Sequence, residues 1–437
     1  MKIVLHITKG PQQGREFVFD SHDTVLCGRS AEAQLSLPMD PAISRHHFLM
    51  EINPPRSFIR DLGSSNGTYV NRIRLQETML RHNDIIAVGD TRIRITVVAD
   101  PVDAAEEKFE LVPVETPPPG AVSAHAAPGD MPAVATAVAG MAGGRAEGEE
   151  ALLPLVEIPG YTMRRNLSWD AGVGSGLGNV YLADSKSDGR SYAVKLIQPQ
   201  VAMNERVRKM FVRDIELLTK LAHPAIVQPL AFGPVGPFDF FVTAFVPGKN
   251  LIEFVAEAGG RLPIELALDL TAQVLDTLQY AHDRNLLHRD LKPSNIMVGR
   301  SAGRPRAFVL DFGLARNYEE AGSMTLTGEL RTGLEYMPPE QLRACRSVGP
   351  RSDLFSMGAV LYYMLAAHSI YDLEANRQGE MLLAILENRV VPLAAREVKA
   401  PPTVAEVIEK ALQPRPERRF RSAEEMKQAL RKAMPGA

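Results

Sequence analysis

From Asp100 to Glu157 the chain changes character: 11 acidic and 2 basic residues stand among Ala, Pro and Gly, as in VETPPPGAVSAHAAPGD and AVAGMAGGRAEGEE. Such a composition cannot bury enough apolar surface to offset the entropy of ordering it, so residues 100–157 read as a disordered linker. The linker divides the 437 residues into two units, and each must build its own hydrophobic core. A flexible segment of this length has a root-mean-square reach of roughly 40 to 45 Å. The whole chain carries a net charge of -3, with no basic footprint for nucleic acid.

Residues 1–99 hold closely spaced apolar runs (KIVLHIT, REFVFD, TVLCGR, HFLMEI, TYVN, DIIAVG, TRIRITVV) separated by turn residues, the pattern of an all-β sandwich. Residues 158–433 open with strand-like pieces, NVYLAD and SYAVKLI, and then turn helical, with LPIELALDLTAQVLDTLQYAH apolar at three-to-four spacing. The longest apolar run, LFSMGAVLYYMLAAHSIY, carries polar residues and reads as a buried core helix rather than a membrane span. MKIVLHITKG is too short an apolar run for a secretory signal and reads as a first strand, which points to a cytoplasmic protein. Cys27 and Cys345 fall in different units, so neither a disulfide framework nor a CxxC metal site is expected, and a reducing compartment fits.

The second unit holds three motifs in order: YAVKLI around Lys195, HRDLKPSNIMV from His288, and DFGLA from Asp311. In this order, over about residues 158–433, they resemble the eukaryotic-like Ser/Thr protein kinases of bacteria. The resemblance implies an α+β bilobal domain that uses ATP and Mg²⁺. Phosphoryl transfer is mostly positioning and charge neutralisation, so a site needs a base near the attacking hydroxyl and cations around the phosphates. By resemblance Asp290 takes the base or orienting role and Asn295 and Asp311 hold Mg²⁺. Lys195 grips the α and β phosphates. Lys292 sits against the γ phosphate, where a lysine goes with Ser/Thr substrates.

The same resemblance assigns the nucleotide pocket. Val180 stands 15 residues before Lys195, and the loop ahead of it supplies Gly174, Gly176 and Gly178, although the first two are out of step with the family's spacing. Thr243 falls at the gatekeeper place, and Ala244 to Val246 at the adenine-contacting hinge. The carboxylate partner of Lys195 is expected to be Asp214, with Glu216 as the alternative, because residues two apart on a helix face different ways. Glu340 should pair with Arg419, and Asp353 with Gly358 should anchor the catalytic loop. The family's Gly-Thr order before Glu340 is reversed here as Thr332-Gly333. Thr325 and Thr327 occupy the place where such kinases are phosphorylated, with Arg289 as the cation to receive the phosphate.

In the first unit, LCGRS, ISRHH and GSSNGTYVN come in the order of forkhead-associated (FHA) domains, which bind phosphothreonine. Carried over, Arg29 and Ser44 contact the phosphate, Ser65 adds a hydroxyl, and Asn66 bonds the bound peptide's backbone. Gly28 and His47 are architectural. A guanidinium fork plus hydroxyl donors on loops of a rigid sandwich suits a phosphate dianion. The Asn66-Gly67 pair also signals a hairpin corner. The implied protein is multidomain: an FHA sandwich, a disordered linker and a kinase. It would phosphorylate protein Ser/Thr hydroxyls and read phosphothreonine, with Thr327 of its own activation segment, Thr116 of the linker or an outside partner as the ligand. Transient self-association is compatible, and nucleic acid and membrane are not expected partners. The alternative is a catalytically inactive scaffold that only binds phosphothreonine proteins.

Overall fold

The computed structural model describes residues 2–21, 23–98, 157–167, 178–197, 205–236, 238–301, 303–312, 333–343, 348–372 and 378–433. Gly174, Gly176, Thr116, Thr325, Thr327, Thr332 and Cys345 lie outside them.

The first unit contains β1 (Lys2–Lys9), β2 (Glu16–Phe19), β3 (Asp23–Gly28), β4 (Leu35–Ser36), β5 (Phe48–Asn53) and β6 (Arg56–Asp61). It continues with β7 (Thr68–Val70), β8 (Ile73–Leu75), β9 (Glu77–Leu80), β10 (Ile85–Val88) and β11 (Thr91–Val98). They form two sheets, of order β2-β1-β11-β10-β7-β8 and β4-β3-β5-β6-β9. Strand alternation builds the core: Ile3, Leu5 and Ile7 of β1 are buried with Val25, Cys27, Phe48, Met50, Ile59, Ile93 and Ile95 in one cluster. The hairpin corner is not at Asn66-Gly67. Val70 pairs with Ile73, so the chain reverses at Asn71-Arg72, whose φ angles are 51° and 73°. Both residues take the left-handed conformation that a two-residue primed turn requires, and Arg72 gives no compositional hint of it. Asn66-Gly67 instead lies in the loop entering β7, where Gly67 has φ 79° and a Cβ would meet Arg74 Nε at 2.5 Å.

The second unit is bilobal. Its first lobe is a five-stranded antiparallel sheet of β12 (Tyr161–Asn166), β13 (Gly178–Ser185), β14 (Ser191–Ile197), β15 (Pro229–Val235) and β16 (Phe238–Ala244), in the order β12-β13-β14-β16-β15, with helix α1 (Glu205–Leu218). Its second lobe is mainly helical: α2 (Leu251–Glu257), α3 (Ile264–His282), α4 (Pro339–Arg343), α5 (Pro350–Ala366), α6 (Gln378–Leu386), α7 (Pro402–Ala411) and α8 (Ala423–Ala433). A small sheet of β17 (Lys249–Asn250), β18 (Ile296–Ser301) and β19 (Arg304–Val309) carries the loops of the cleft. Helix α5 is buried on nearly every face, from Ser352 to Tyr362, which explains why it is apolar all round. Among the described residues no helix is long and apolar enough to cross a membrane.

Candidate functional site

The catalytic loop hangs on one buried carboxylate. Asp353, on the first turn of α5, accepts the backbone N–H groups of His288 and Arg289, each at 2.9 Å, and the Nε2 of His282 at 2.7 Å. Burial alone would push its carboxyl up, but the His282 bond and the neighbouring imidazoles hold it below the usual carboxylate range. His282 was not singled out from the sequence; its signal is a histidine closing α3 shortly before HRD. These bonds fix Arg289 at φ 66°, a conformation a non-glycine residue keeps only under firm restraint.

His288 is fully buried, and burial lowers its pKa. Its Nδ1 accepts the Asp290 N–H at 3.3 Å while its Nε2 donates to the Leu310 carbonyl at 2.9 Å, so the neutral ring has a defined tautomer. It also packs against Phe312, 4.7 Å between ring centroids, and so ties the HRD loop to the DFG turn.

The structure brings Asp290, Lys292 and Asn295 together. Lys292 Nζ lies 2.9 Å from Asp290 Oδ2, and Asn295 Nδ2 donates to the Asp290 carbonyl at 2.7 Å and to Oδ2 at 3.2 Å. Gly333 packs against the Lys292 stem with φ 105°, and a Cβ there would come within 2.7 Å of Lys292 Cδ. The Thr332-Gly333 order therefore puts a glycine where close approach to Lys292 demands one.

Across the cleft, Lys195 is 3% exposed and donates to Asp311 Oδ2 at 2.7 Å, with its ammonium 5.8 Å from the Phe241 ring centroid. Asp311 sits at φ 55°. Val180 stands directly opposite Lys195 across the β13–β14 hairpin, and Gly178 opposite Ile197. On α1, Asp214 is half-buried and Glu216 exposed, so the helix turns Asp214 toward the protein. Thr243 and Val246 are half-buried and Ala244 exposed where β16 leaves the first lobe. The carboxylate of Glu340 is gripped at both oxygens by Arg419, at 2.6 and 2.7 Å, as the resemblance implied.

The second cluster lies on loops at one end of the FHA sandwich. Arg29, Ser65 and Asn66 are exposed and Ser44 is half-buried. Arg29 Nε donates to the Ile43 carbonyl, Ser44 Oγ accepts the Ser65 N–H at 3.1 Å, and Asn66 Nδ2 donates to the Ala42 carbonyl at 2.7 Å. His47 holds these loops together: its Nδ1 accepts the Ser44 N–H at 3.1 Å, and its Nε2 reaches the Gly67 carbonyl at 3.2 Å. Burial lowers its pKa, which keeps this ring neutral. Gly28 is required by contact, since a Cβ would fall 2.0 Å from the Arg45 carbonyl oxygen. Asp61 is a support the sequence reading missed. It accepts the Gly63 and Ser64 N–H groups and the Ser64 and Thr68 hydroxyls, and the Asp-x-Gly-Ser sequence was the available clue. Among the described residues no group of His, Cys, Asp and Glu has the makings of a metal cluster.

Comparison with known proteins identifies both units. The protein kinase domain family model matches residues 169–431, and the FHA domain model matches residues 25–89. The chain is 33% identical over 261 residues to the serine/threonine-protein kinase pkn2 of Myxococcus xanthus, covering 58% of this chain and 31% of that protein. It is 31% identical over 264 residues to the serine/threonine-protein kinase PknB of Mycolicibacterium smegmatis, covering 58% of this chain and 40% of that protein. The match thus spans well under half the length of these relatives. The crystal structure of the Mycobacterium tuberculosis PknI kinase domain, as a C20A_R136A double mutant, shares the fold, with a TM-score of 0.50 and 24% identity over 65% of this chain and 99% of that one. The chain belongs to the protein kinase family and carries an FHA domain ahead of its kinase domain.

Proposed function

We propose that the chain transfers the γ-phosphoryl group of ATP to serine or threonine hydroxyls of proteins and reads phosphothreonine through its FHA domain. The observation that carries the first half is the Asp290 carboxylate, held between Lys292 Nζ and Asn295 Nδ2 at 2.9 and 3.2 Å. So held, it presents an acceptor to an incoming hydroxyl, and the Lys292 ammonium stands beside the same point, where charge collects on the transferred group. Lys195 is positioned to grip the inner phosphates. The Lys195–Asp214 pair belongs to the same reading, favoured by the inward turn of Asp214 on α1.

The donor set fits a hard cation. Asn295 commits its Nδ2 to Asp290 and leaves Oδ1 as an oxygen ligand, and Asp311 adds a carboxylate, an all-oxygen set of the kind Mg²⁺ prefers. Bound Mg²⁺ would neutralise the phosphate charge. Gly178 and Val180 belong to the phosphate side of this proposed nucleotide site, with Gly174 and Gly176 assigned to the same side by resemblance alone, and Thr243, Ala244 and Val246 to the adenine side.

Phosphothreonine reading rests on the convergence of Arg29, Ser44, Ser65 and Asn66 on one end of a rigid sandwich, with His47 and Asp61 bracing the loops behind them. Thr325 and Thr327 are proposed as autophosphorylation sites, and the Thr327 phosphate as a ligand of the chain's own FHA domain.

The test is incubation of the full chain with Mg²⁺ and labelled ATP beside Asp290→Ala. Incorporation by the parent and none by the variant is expected. Labelling of neither would leave the chain a scaffold without transfer activity, and equal labelling of both would remove Asp290 from the transfer step.

A further inference from the structure

The FHA sandwich has a second buried face, and the sandwich itself does not cover it. In β3, β5 and β6 alternate residues point away from the interior, and the register lines up Leu26 with Leu49 and Arg60, and Thr24 with Glu51 and Phe58. This outer face would ordinarily meet water. Instead Leu26 and Leu49 are 0% exposed and Phe58 is 8%. Together with Ala33 and Leu62 they belong to the apolar cluster of the kinase's helical lobe, which includes Leu342 of α4 and Leu386 of α6, and not to the sandwich core. Strand β3 packs on α4.

Charged and polar contacts fringe this contact. Arg343 reaches Glu32 at 2.8 Å, and Glu387, just past α6, faces Arg45 at 3.6 Å and His46 at 3.5 Å. Arg45 and His46 sit between Ser44 and His47, inside the loop that supplies the phosphate-contacting serine.

We propose that the outer face of the β4-β3-β5-β6-β9 sheet is a docking surface for the helical lobe of the same chain, so that the FHA domain is a fixed part of the kinase. A merely tethered reader would need no apolar outer face. Three outward positions filled by Leu26, Leu49 and Phe58 commit the sheet to a partner with an apolar surface, and α4 and α6 supply one. The two units are joined in one chain by residues 100–157, which makes the contact intramolecular at high effective concentration.

Docking also gives the kinase domain a hold on phosphate reading, a consequence that rests on the proposed phosphothreonine site. Glu387, whose other oxygen is held by Arg389, offsets the charge of Arg45 beside Ser44, so the loop offers less positive charge to an arriving phosphate dianion. Neutralising Glu387 should tighten phosphopeptide binding although it lies in the other domain.

Hydrogen exchange on the full chain tests the docking, comparing the parent with Leu49→Asp and Phe58→Asp. Both variants should lose protection in α4 and α6 while the sandwich strands β1 and β11 keep theirs. Unchanged protection in α4 and α6 would overturn the proposal. Protection in the parent should be the same at about 1 and 50 μM; protection that appears only at the higher concentration would make a second copy the occupant and overturn docking within one chain. Calorimetry with a phosphorylated peptide spanning Thr327 tests the coupling, and Glu387→Gln should bind it several-fold more tightly than the parent. Equal or weaker binding would overturn the coupling. A parent that does not bind this peptide would remove Thr327 as the ligand and with it the coupling stated here, and the exchange data would still decide the docking.

Discussion

Arg419 and Glu340 stand 79 residues apart in sequence and meet in a buried two-pronged ion pair, one guanidinium nitrogen on each carboxylate oxygen. Ser352 Oγ donates to the same carboxylate at 2.7 Å, so the end of the activation segment, the start of α5 and the approach to α8 are fastened at one point. Removing one member leaves a buried charge without its partner.

Arg419→Met should therefore destabilise the kinase domain by about 3 to 5 kcal/mol. Chemical denaturation of the full chain measures this. A double change of Arg419→Met and Glu340→Gln should be less destabilising than the sum of the two, because the second removes the charge that the first orphans.

Asp353 makes a different prediction, because it holds backbone rather than side chains. Asp353→Ala strands the His288 and Arg289 N–H groups and frees Arg289 from its left-handed conformation. The maximal transfer rate should fall by about a hundredfold or more as the Asp290 geometry loosens, with little change in the KM for ATP. Steady-state kinetics at saturating ATP separates the two effects. A loss confined to KM would place Asp353 outside the positioning of the catalytic loop.

At Gly333, alanine must hold φ 105° and push the Lys292 stem aside. The backbone penalty is about 1 to 2 kcal/mol. Gly333→Ala should lower the transfer rate through displacement of Lys292, while an alanine at Gly349, whose Cβ meets nothing within 4 Å, leaves it unchanged.

His47 sets a pH dependence for the reading domain. Its folded pKa is lowered by burial, so between that value and the unfolded value near 6.5 the unfolded chain binds more protons. Its stabilising contribution is complete above about pH 6.5 and is lost as pH falls through that value toward the folded pKa. His288 is lowered for the same cause and acts in the same direction in the kinase. Exchange protection in β5 and β7 should decline from about pH 7.5 to 5.5, and His47→Gln should be less stable at the upper pH but flatter across the range.

Nucleotide contact at Gly178 is tested by Gly178→Val. A β-branched side chain at the mouth of the β13–β14 hairpin keeps backbone N–H groups from the phosphates, so ATP affinity should fall by about tenfold with the fold intact. Fluorescence titration with an ATP analogue reads it directly.

Much of this protein was legible in the sequence because its chemistry is local. HRDLKPSN places Asp290, Lys292 and Asn295 within six residues, and a tight loop with Pro293 at the head of a short 3-10 turn leaves them few arrangements. Strand alternation set the sandwich core, from Ile3 to Ile95, because a pleated strand shows every second residue to the same side. The pairing of Glu340 with Arg419 was legible only by resemblance, since nothing local joins residues that far apart. The tertiary structure alone decided the rest. It moved the hairpin corner from Asn66-Gly67 to Asn71-Arg72, because strand register, not turn composition, fixes where a ladder reverses. It also joined His282 to Asp353 and His47 to Gly67, contacts between side chains and groups 71 and 20 residues away. And it covered Leu26, Leu49 and Phe58 with helices from the other domain. Alternation in a sequence says which residues share a face, and only the packed chain says what that face meets.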